Sequence, residues 1–429
     1  MSQADLVVRG AALPTEPDIP VDLFVAKGKV VALTPTARSS RATVAAGAKE
    51  IEATGLLLMP GATDVHVHLR EPGQEWKETI STGLAAAAKG GFVNVMCMAN
   101  TDPVNDQANV TAAMLEKACA SHPKGPRLFP VGALTVGLNG RELAPMDELK
   151  NAGCRAFSND GRPVADTELF RRALEYASDL KTVVIDHCED PFLAPGAGIN
   201  EGQVSARLGL RGAPAAGEAI QAARDCLLAA YLGVPIHLAH ISCKMSVDAI
   251  RQAKAMGAPV TAETCPHYLT LTEEACDGYD TNAKVNPPLR TGKDQRALLE
   301  ALEDGTIDIL ATDHAPHAAH EKETPFGEAP NGISGLETAL SLTWELVRKK
   351  ALSANTWLRA WCWRPAEIFG LPVNHFQPGD TADFILFDPL STWTVSPQTL
   401  VSKGKNTPFL GKKLTGQVKA AFVAGKKIV

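Results

Sequence analysis

No CxxC pair occurs in this sequence, although it holds nine cysteines. They are scattered singly and odd in number. That excludes a complete disulfide framework and a structural zinc knuckle, and it predicts reduced thiols. Cys97, Cys188 and Cys243 lie in or beside apolar runs and read as small core residues. No apolar run approaches the roughly 18 residues that a membrane-spanning helix needs. The opening MSQADLVVRGAALP carries Asp5 early and lacks the basic-then-apolar pattern of a secretory signal. A basic tract is also missing, and the formal net charge is −6, so nucleic acid and anionic membranes are poor partners. The expectation is a cytoplasmic protein that acts on a small molecule.

With 45% hydrophobic and 21% charged residues, the chain has the profile of a globular protein. Its 429 residues exceed one core of ordinary size; they suit a large α/β barrel with an accessory domain, or two to three small domains. Both ends read as short strands broken by Gly and Pro, for example DLFVAKGKVVALTP and GQVKAAFVAGKKIV. Neither end is long enough to fold comfortably alone, so residues 1–56 and 376–429 are expected to combine into one small β-sandwich domain. Residues 57–375 alternate differently. Eight short β-rich segments recur, from LLLMPGATDVHVHL to IDILATD, with helix-like stretches such as 75–89, 214–233 and 246–257 between them. Eight strand–helix alternations predict a (β/α)8 TIM-like barrel.

In such a barrel the chemistry gathers at the C-terminal ends of the strands. Polar residues fall at that end repeatedly: His66 and His68 after strand one, Asp160 after strand four, His187 after strand five, His240 after strand six and Asp313 after strand eight. All six are metal-ligand types. Residues i and i+2 of a strand share a face, so His66 and His68 point the same way. Two imidazoles buried side by side cost desolvation unless a cation joins them. His317, in the loop after strand eight, is within reach of a substrate. His237 is expected to pack on the opposite face from His240, and His122 to face solvent. His267 is open between packing and supporting a ligand through its other ring nitrogen.

The stretches 64-DVHVHLREPG-73, 98-MANTDP-103, 157-FSNDGRPV-164, 237-HLAHIS-242, 286-NPPLR-290 and 312-TDHAPH-317 together resemble the class I dihydroorotases of the amidohydrolase superfamily. The resemblance covers essentially the whole chain. It implies a divalent metal, zinc above all, at one or two sites: His66, His68 and Asp313 at the first, His187 and His240 at the second, with Asp160 between them. Many relatives bridge their metals with a carboxylated lysine; here Asp160 stands at that position, as in class I members. The implied reaction is the reversible cyclisation of N-carbamoyl-L-aspartate to (S)-dihydroorotate, through a metal-activated hydroxide with Asp313 as general base and acid.

The substrate's free carboxylate calls for a bidentate guanidinium, and the resemblance assigns this to Arg70, assisted by Asn100 and His317. Asn286 and the backbone near Asn331 and Gly332 would hold the ring amides. The chain departs from several relatives in lacking an aromatic residue next to Gly332. A homodimer is expected, and aspartate transcarbamoylase is a conceivable partner. The rival readings are another cyclic amidohydrolase (hydantoinase, dihydropyrimidinase or allantoinase) and a silent scaffold for the transcarbamoylase. The first pair usually has the bridging lysine and allantoinases a different residue at the Arg70 position, while a scaffold typically loses ligands that this chain keeps.

Overall fold

The computed structural model describes residues 3–41 and 44–429. The N-terminal strands are β1 (Ala4–Leu13), β2 (Glu16–Ala26), β3 (Lys29–Pro35), β4 (Val44–Glu52) and β5 (Leu57–Pro60). Eight short strands follow: β6 (Ala62–Val67), β7 (Phe92–Cys97), β8 (Arg127–Ala133), β9 (Ala156–Ser158), β10 (Val183–Asp186), β11 (Ile236–Leu238), β12 (Val260–Thr264) and β13 (Ile309–Leu310). Near the C-terminus come β14 (Phe384–Thr394), β15 (Lys413–Val423) and β16 (Lys426–Lys427).

Strands β6 to β13 form one sheet in sequence order, and every pair in it is parallel. A bridge between Val67 and His314, with His68 N donating to the His314 carbonyl at 2.8 Å, closes β6 onto the chain leaving β13. This is the expected barrel. Its strands are buried on both faces, which is why they read as unbroken apolar runs. Helices Ile80–Gly90, Ala215–Leu232 and Lys244–Ala255 stand where the 3.6-residue spacing predicts them. The first starts five residues later than expected: Thr79 caps it through Thr82, and Glu78 is drawn inward to Ser402 and the Lys403 amide. Among the described residues no helix is long and apolar enough to cross a membrane.

The sandwich expected from the two ends is built from one continuous sheet, ordered β16-β15-β14-β5-β1-β2-β3 with β4 beside β1. Leu6, Leu23, Leu58, Phe384 and Phe422 share its core. Three details differ from the sequence-based reading. Leu57–Pro60 falls inside the range assigned to the barrel, yet it pairs with β14, Leu58 opposite Leu386. The run LLLMPGATDVHV looks like one strand, but it is two, parted at Gly61, where a Cβ would lie 2.4 Å from Val93. In addition, residues 395–412, expected to belong to the terminal domain, leave the sheet and lie along the barrel. Val401 and Ser402 donate their amides to Glu337 there.

Candidate active site

The candidate ligands come from five strand ends. His66 lies in β6 and His68 just beyond it, with Asp160, His187, His240 and Asp313 one to three residues past β9, β10, β11 and β13. Arg70, His240 and Asp313 hold φ values of 62°, 33° and 46°. The left-handed region costs a residue with a Cβ about 1–3 kcal/mol, and such strain collects where function requires it.

His66 is fully buried, and its ring centroid lies 5.5 Å from that of His68 and 5.0 Å from that of His240. His66 Nδ1 donates to Glu263 at 2.7 Å, which leaves Nε2 facing Asp160 at 3.4 Å and Asp313 at 3.7 Å without a hydrogen-bond partner. His68 donates through Nδ1 to Asn100 Oδ1 at 2.9 Å and turns Nε2 towards Asp313 Oδ1 at 3.0 Å. On the other side of Asp160, His187 Nδ1 and His240 Nε2 approach Oδ1 at 3.4 and 3.3 Å. His187 Nε2 contacts Glu189 at 2.8 Å. Two clusters result, His66 with His68 and Asp160, and His187 with His240 and Asp160.

These clusters suit a divalent cation. His66 Nε2, buried without a partner and facing Asp160 and Asp313, is costly unless something accepts its lone pair. Burial opposes charge on His187, yet contacts with Asp160 and Glu189 outweigh it and push its pKa up to about 10. The spot therefore demands positive charge. A third cluster, Asp186 with Cys188 and Asp225, differs: Arg224 already stands 2.8 Å from Asp225 and 3.7 Å from Asp186. No lysine takes the place of Asp160. Lys150 is bound to the Leu180 carbonyl at 2.6 Å, and Lys181 is exposed.

Arg70 is 8% exposed. Its Nε donates to the Pro316 carbonyl at 3.2 Å, and among the described residues no carboxylate pairs with it. Its neighbours are committed elsewhere: Glu71 to Lys117 and the Ile80 amide, Glu75 to the Gly73 amide. His317 Nε2 donates to the Asn331 carbonyl at 2.8 Å, so Arg70 Nη2, 3.4 Å from the same nitrogen, is a packing contact. Burial first, then the charges of Arg70, Lys77 and Lys322, push the His317 pKa down to about 2. The imidazole is neutral in a cationic setting.

A cavity of about 160 Å³ opens at this end of the barrel, lined by every candidate except His66 and His317, which are buried against its lining residues. Three candidates have further duties. Asn100 orients His68, and Asn286 Nδ2 donates to Glu189 at 2.8 Å. Gly332 donates its amide to the Lys284 carbonyl at 2.9 Å, so that N–H is not free for a ring. Its φ of 146° and the Ala315 carbonyl, 2.6 Å from where a Cβ would sit, require glycine.

The family model described as Dihydro-orotase-like matches residues 55–246. The dihydroorotase of Geotalea daltonii is 48% identical over 411 residues, covering 96% of this chain and 95% of that protein. The dihydroorotase of Geobacter metallireducens is 50% identical, covering 89% and 90%. The chain belongs to the dihydroorotase family. Its fold is shared more widely: L-hydantoinase (dihydropyrimidinase) from Arthrobacter aurescens superposes with a TM-score of 0.86 at 24% identity, covering 100% of this chain and 96% of that one.

Within this dihydroorotase-family site, sequence reasoning missed several supporting residues. Glu263, at the end of β12, binds His66 through Oε1 and His237 through Oε2 at 3.1 Å, and burial of its charge is outweighed by these two histidines, which keep it ionised. His237 is thus packed, as expected, but also anchors Glu263. A glutamate inside the apolar run PVTAETC was the available signal. Glu189 is a second supporting residue, in the loop after β10; burial works against its charge, but His187 and Asn286 hold its pKa down to about 2. His122, expected to face solvent, bonds the Ser81 carbonyl at 2.9 Å. His267 Nε2 is buried without a hydrogen-bond partner, and among the described residues no hydrogen bond joins its ring to a candidate ligand.

Proposed function

We propose that this chain interconverts N-carbamoyl-L-aspartate and (S)-dihydroorotate, the ring-closing step of de novo pyrimidine synthesis, with the residue roles that follow. The observation that carries the reading is Arg70: a buried guanidinium with no acidic partner among the described residues, beside a histidine–aspartate cluster. A guanidinium binds a carboxylate through two charge-assisted hydrogen bonds, so an anionic substrate satisfies it and a neutral cyclic imide leaves it unpaired. Asn100 and the neutral His317 flank Arg70 and assist it.

His66, His68, Asp160 and Asp313 would hold one Zn2+, and Asp160, His187 and His240 a second. When bound, the metal supplies Lewis acidity for the amide carbonyl and lowers the pKa of water to around 7. Glu263, Asn100 and Glu189 fix the imidazoles through their outer nitrogens. Asp313, 3.0 Å from His68 Nε2, takes the proton of the attacking water and returns it to the amide nitrogen as the ring opens. In ring closure the same carboxylate runs the transfer backwards. Asn286 and the backbone at Asn331 face the ring, and Gly332 lines the cavity beside it. Ile220, Leu227 and Tyr231, exposed along one face of Ala215–Leu232, support a homodimer.

The test combines metal analysis with dihydroorotate ring opening, comparing the parent with Arg70→Ala and using hydantoin as a control. The expected result is metal-dependent ring opening, with kcat/KM reduced about 100- to 1000-fold in the variant, the loss of a bidentate charged pair. Hydantoin turnover insensitive to Arg70→Ala would overturn the reading in favour of a neutral-ring hydrolase.

A further inference from the structure

Residues 395–412 meet the site at Asn406, a buried side chain. Its Oδ1 accepts from the His317 amide at 2.7 Å and from Ser334 Oγ at 2.9 Å. Its Nδ2 donates to the carbonyls of Ala315 and Gly332, each at 3.0 Å. The Asn406 carbonyl accepts from the Ser334 amide at 2.8 Å. Every hydrogen-bonding position of the side-chain amide is therefore used, and all of them fall on two stretches, 315–317 and 332–334. Those stretches also bond each other, Ala315 N to the Ile333 carbonyl at 3.0 Å. They carry His317 and Gly332.

The approach is close on both sides of Asn406. A Cβ on Gly404 would lie 2.5 Å from Pro316 Cβ and 2.9 Å from the His317 amide nitrogen. Ser334 Oγ also lies 3.0 Å from the Gly404 carbonyl, which shares its single proton with Asn406 Oδ1. Only an amide supplies two acceptor and two donor positions in this shape. A carboxylate would set an oxygen against two carbonyls, and a smaller side chain would leave them unpaired in the interior.

We propose that Asn406 is a positioning residue for substrate recognition, acting through His317 and Gly332. The inference rests on the reading of those residues as substrate contacts. Asn406 fixes the backbone from which the His317 ring and the Gly332 turn project. Removing it displaces the acid-binding side of the cavity and leaves the histidine–aspartate cluster in place.

The experiment uses the full, metal-loaded chain. In Asn406→Ala the KM for dihydroorotate is expected to rise roughly tenfold or more, while kcat stays within about threefold and metal content equals that of the parent. Added to His317→Ala, the same substitution should raise KM by clearly less than it does in the parent, because only the route through Gly332 remains. Amide exchange should quicken at 315–317 and 332–334 by roughly tenfold and little elsewhere, a readout independent of activity. Unchanged KM, or full additivity with His317→Ala, would overturn the proposal. If the parent fails to turn over dihydroorotate but exchange still quickens at the two stretches, the substrate reading falls and the clamp remains. Unchanged exchange in an active protein removes the clamp alone. Should Asn406→Ala not fold, Asn406→Ser takes its place in each measurement.

Discussion

His66 shows how a single side chain acquires its role. The spacing of His66 and His68 already implies two imidazoles on one face, since alternation along a strand is a local property. Which nitrogen of His66 faces the cluster is settled by Glu263, far along the chain, which takes Nδ1 and leaves Nε2 directed at Asp160 and Asp313. Asn100 and Asn286 teach the same lesson: expected as substrate contacts, they also orient His68 and Glu189. Replacing Glu263 by Gln keeps the shape but removes the charge that polarises both His66 and His237. Metal affinity is expected to fall by about 10- to 100-fold with the fold retained, measured by competition against a chromophoric chelator. Unchanged affinity would deprive Glu263 of this role.

At the scale of elements, the eight barrel strands were legible because each is a short apolar run bounded by turn residues, and their polar ends mark the face where chemistry occurs. The division between barrel and terminal sheet was less legible. Periodicity reports burial but not the partner that provides it, and Leu57–Pro60 is buried by β14. The loop 318–332 is fastened by two lysines. Lys322 Nζ donates to the carbonyls of Pro330 at 2.7 Å and Thr281 at 2.9 Å, and Lys284 Nζ to those of Phe326 at 2.7 Å and Gly327 at 3.0 Å. Lys322→Met keeps the apolar stem and loses these bonds. Proteolytic nicking within 323–331 is expected to quicken by about tenfold, with KM raised because Asn331 and Gly332 lie at the loop's end. Parent-like resistance would show that the lysines are dispensable to the loop.

The whole molecule is a closed barrel beside a terminal sheet, with candidate ligands arriving from five strand ends, so a cation at the centre would tie together segments from residue 66 to residue 313. Binding to the folded state alone stabilises it by mass action, about 2.7 kcal/mol when free metal is 100 times Kd. Chelation is therefore expected to lower the melting temperature by a few degrees, on the order of 1–2 °C per kcal/mol for a chain this long. Added Zn2+ should restore it, and His66→Ala should abolish the response. A melting temperature indifferent to chelator in the parent would count against a metal held at the barrel centre.

The sequence by itself determined the barrel, the terminal strands and the residue types gathered at the strand ends, because alternation, helical spacing and turn residues are all written within a few positions of one another. Only the tertiary structure decided which nitrogen of each histidine is free, that Arg70 has no acidic partner among the described residues, and that Asn406 reaches the site from a segment assigned to the other domain. Hydrogen bonds are directional and act over about 3 Å, so they depend on how distant stretches pack, and no local pattern encodes that.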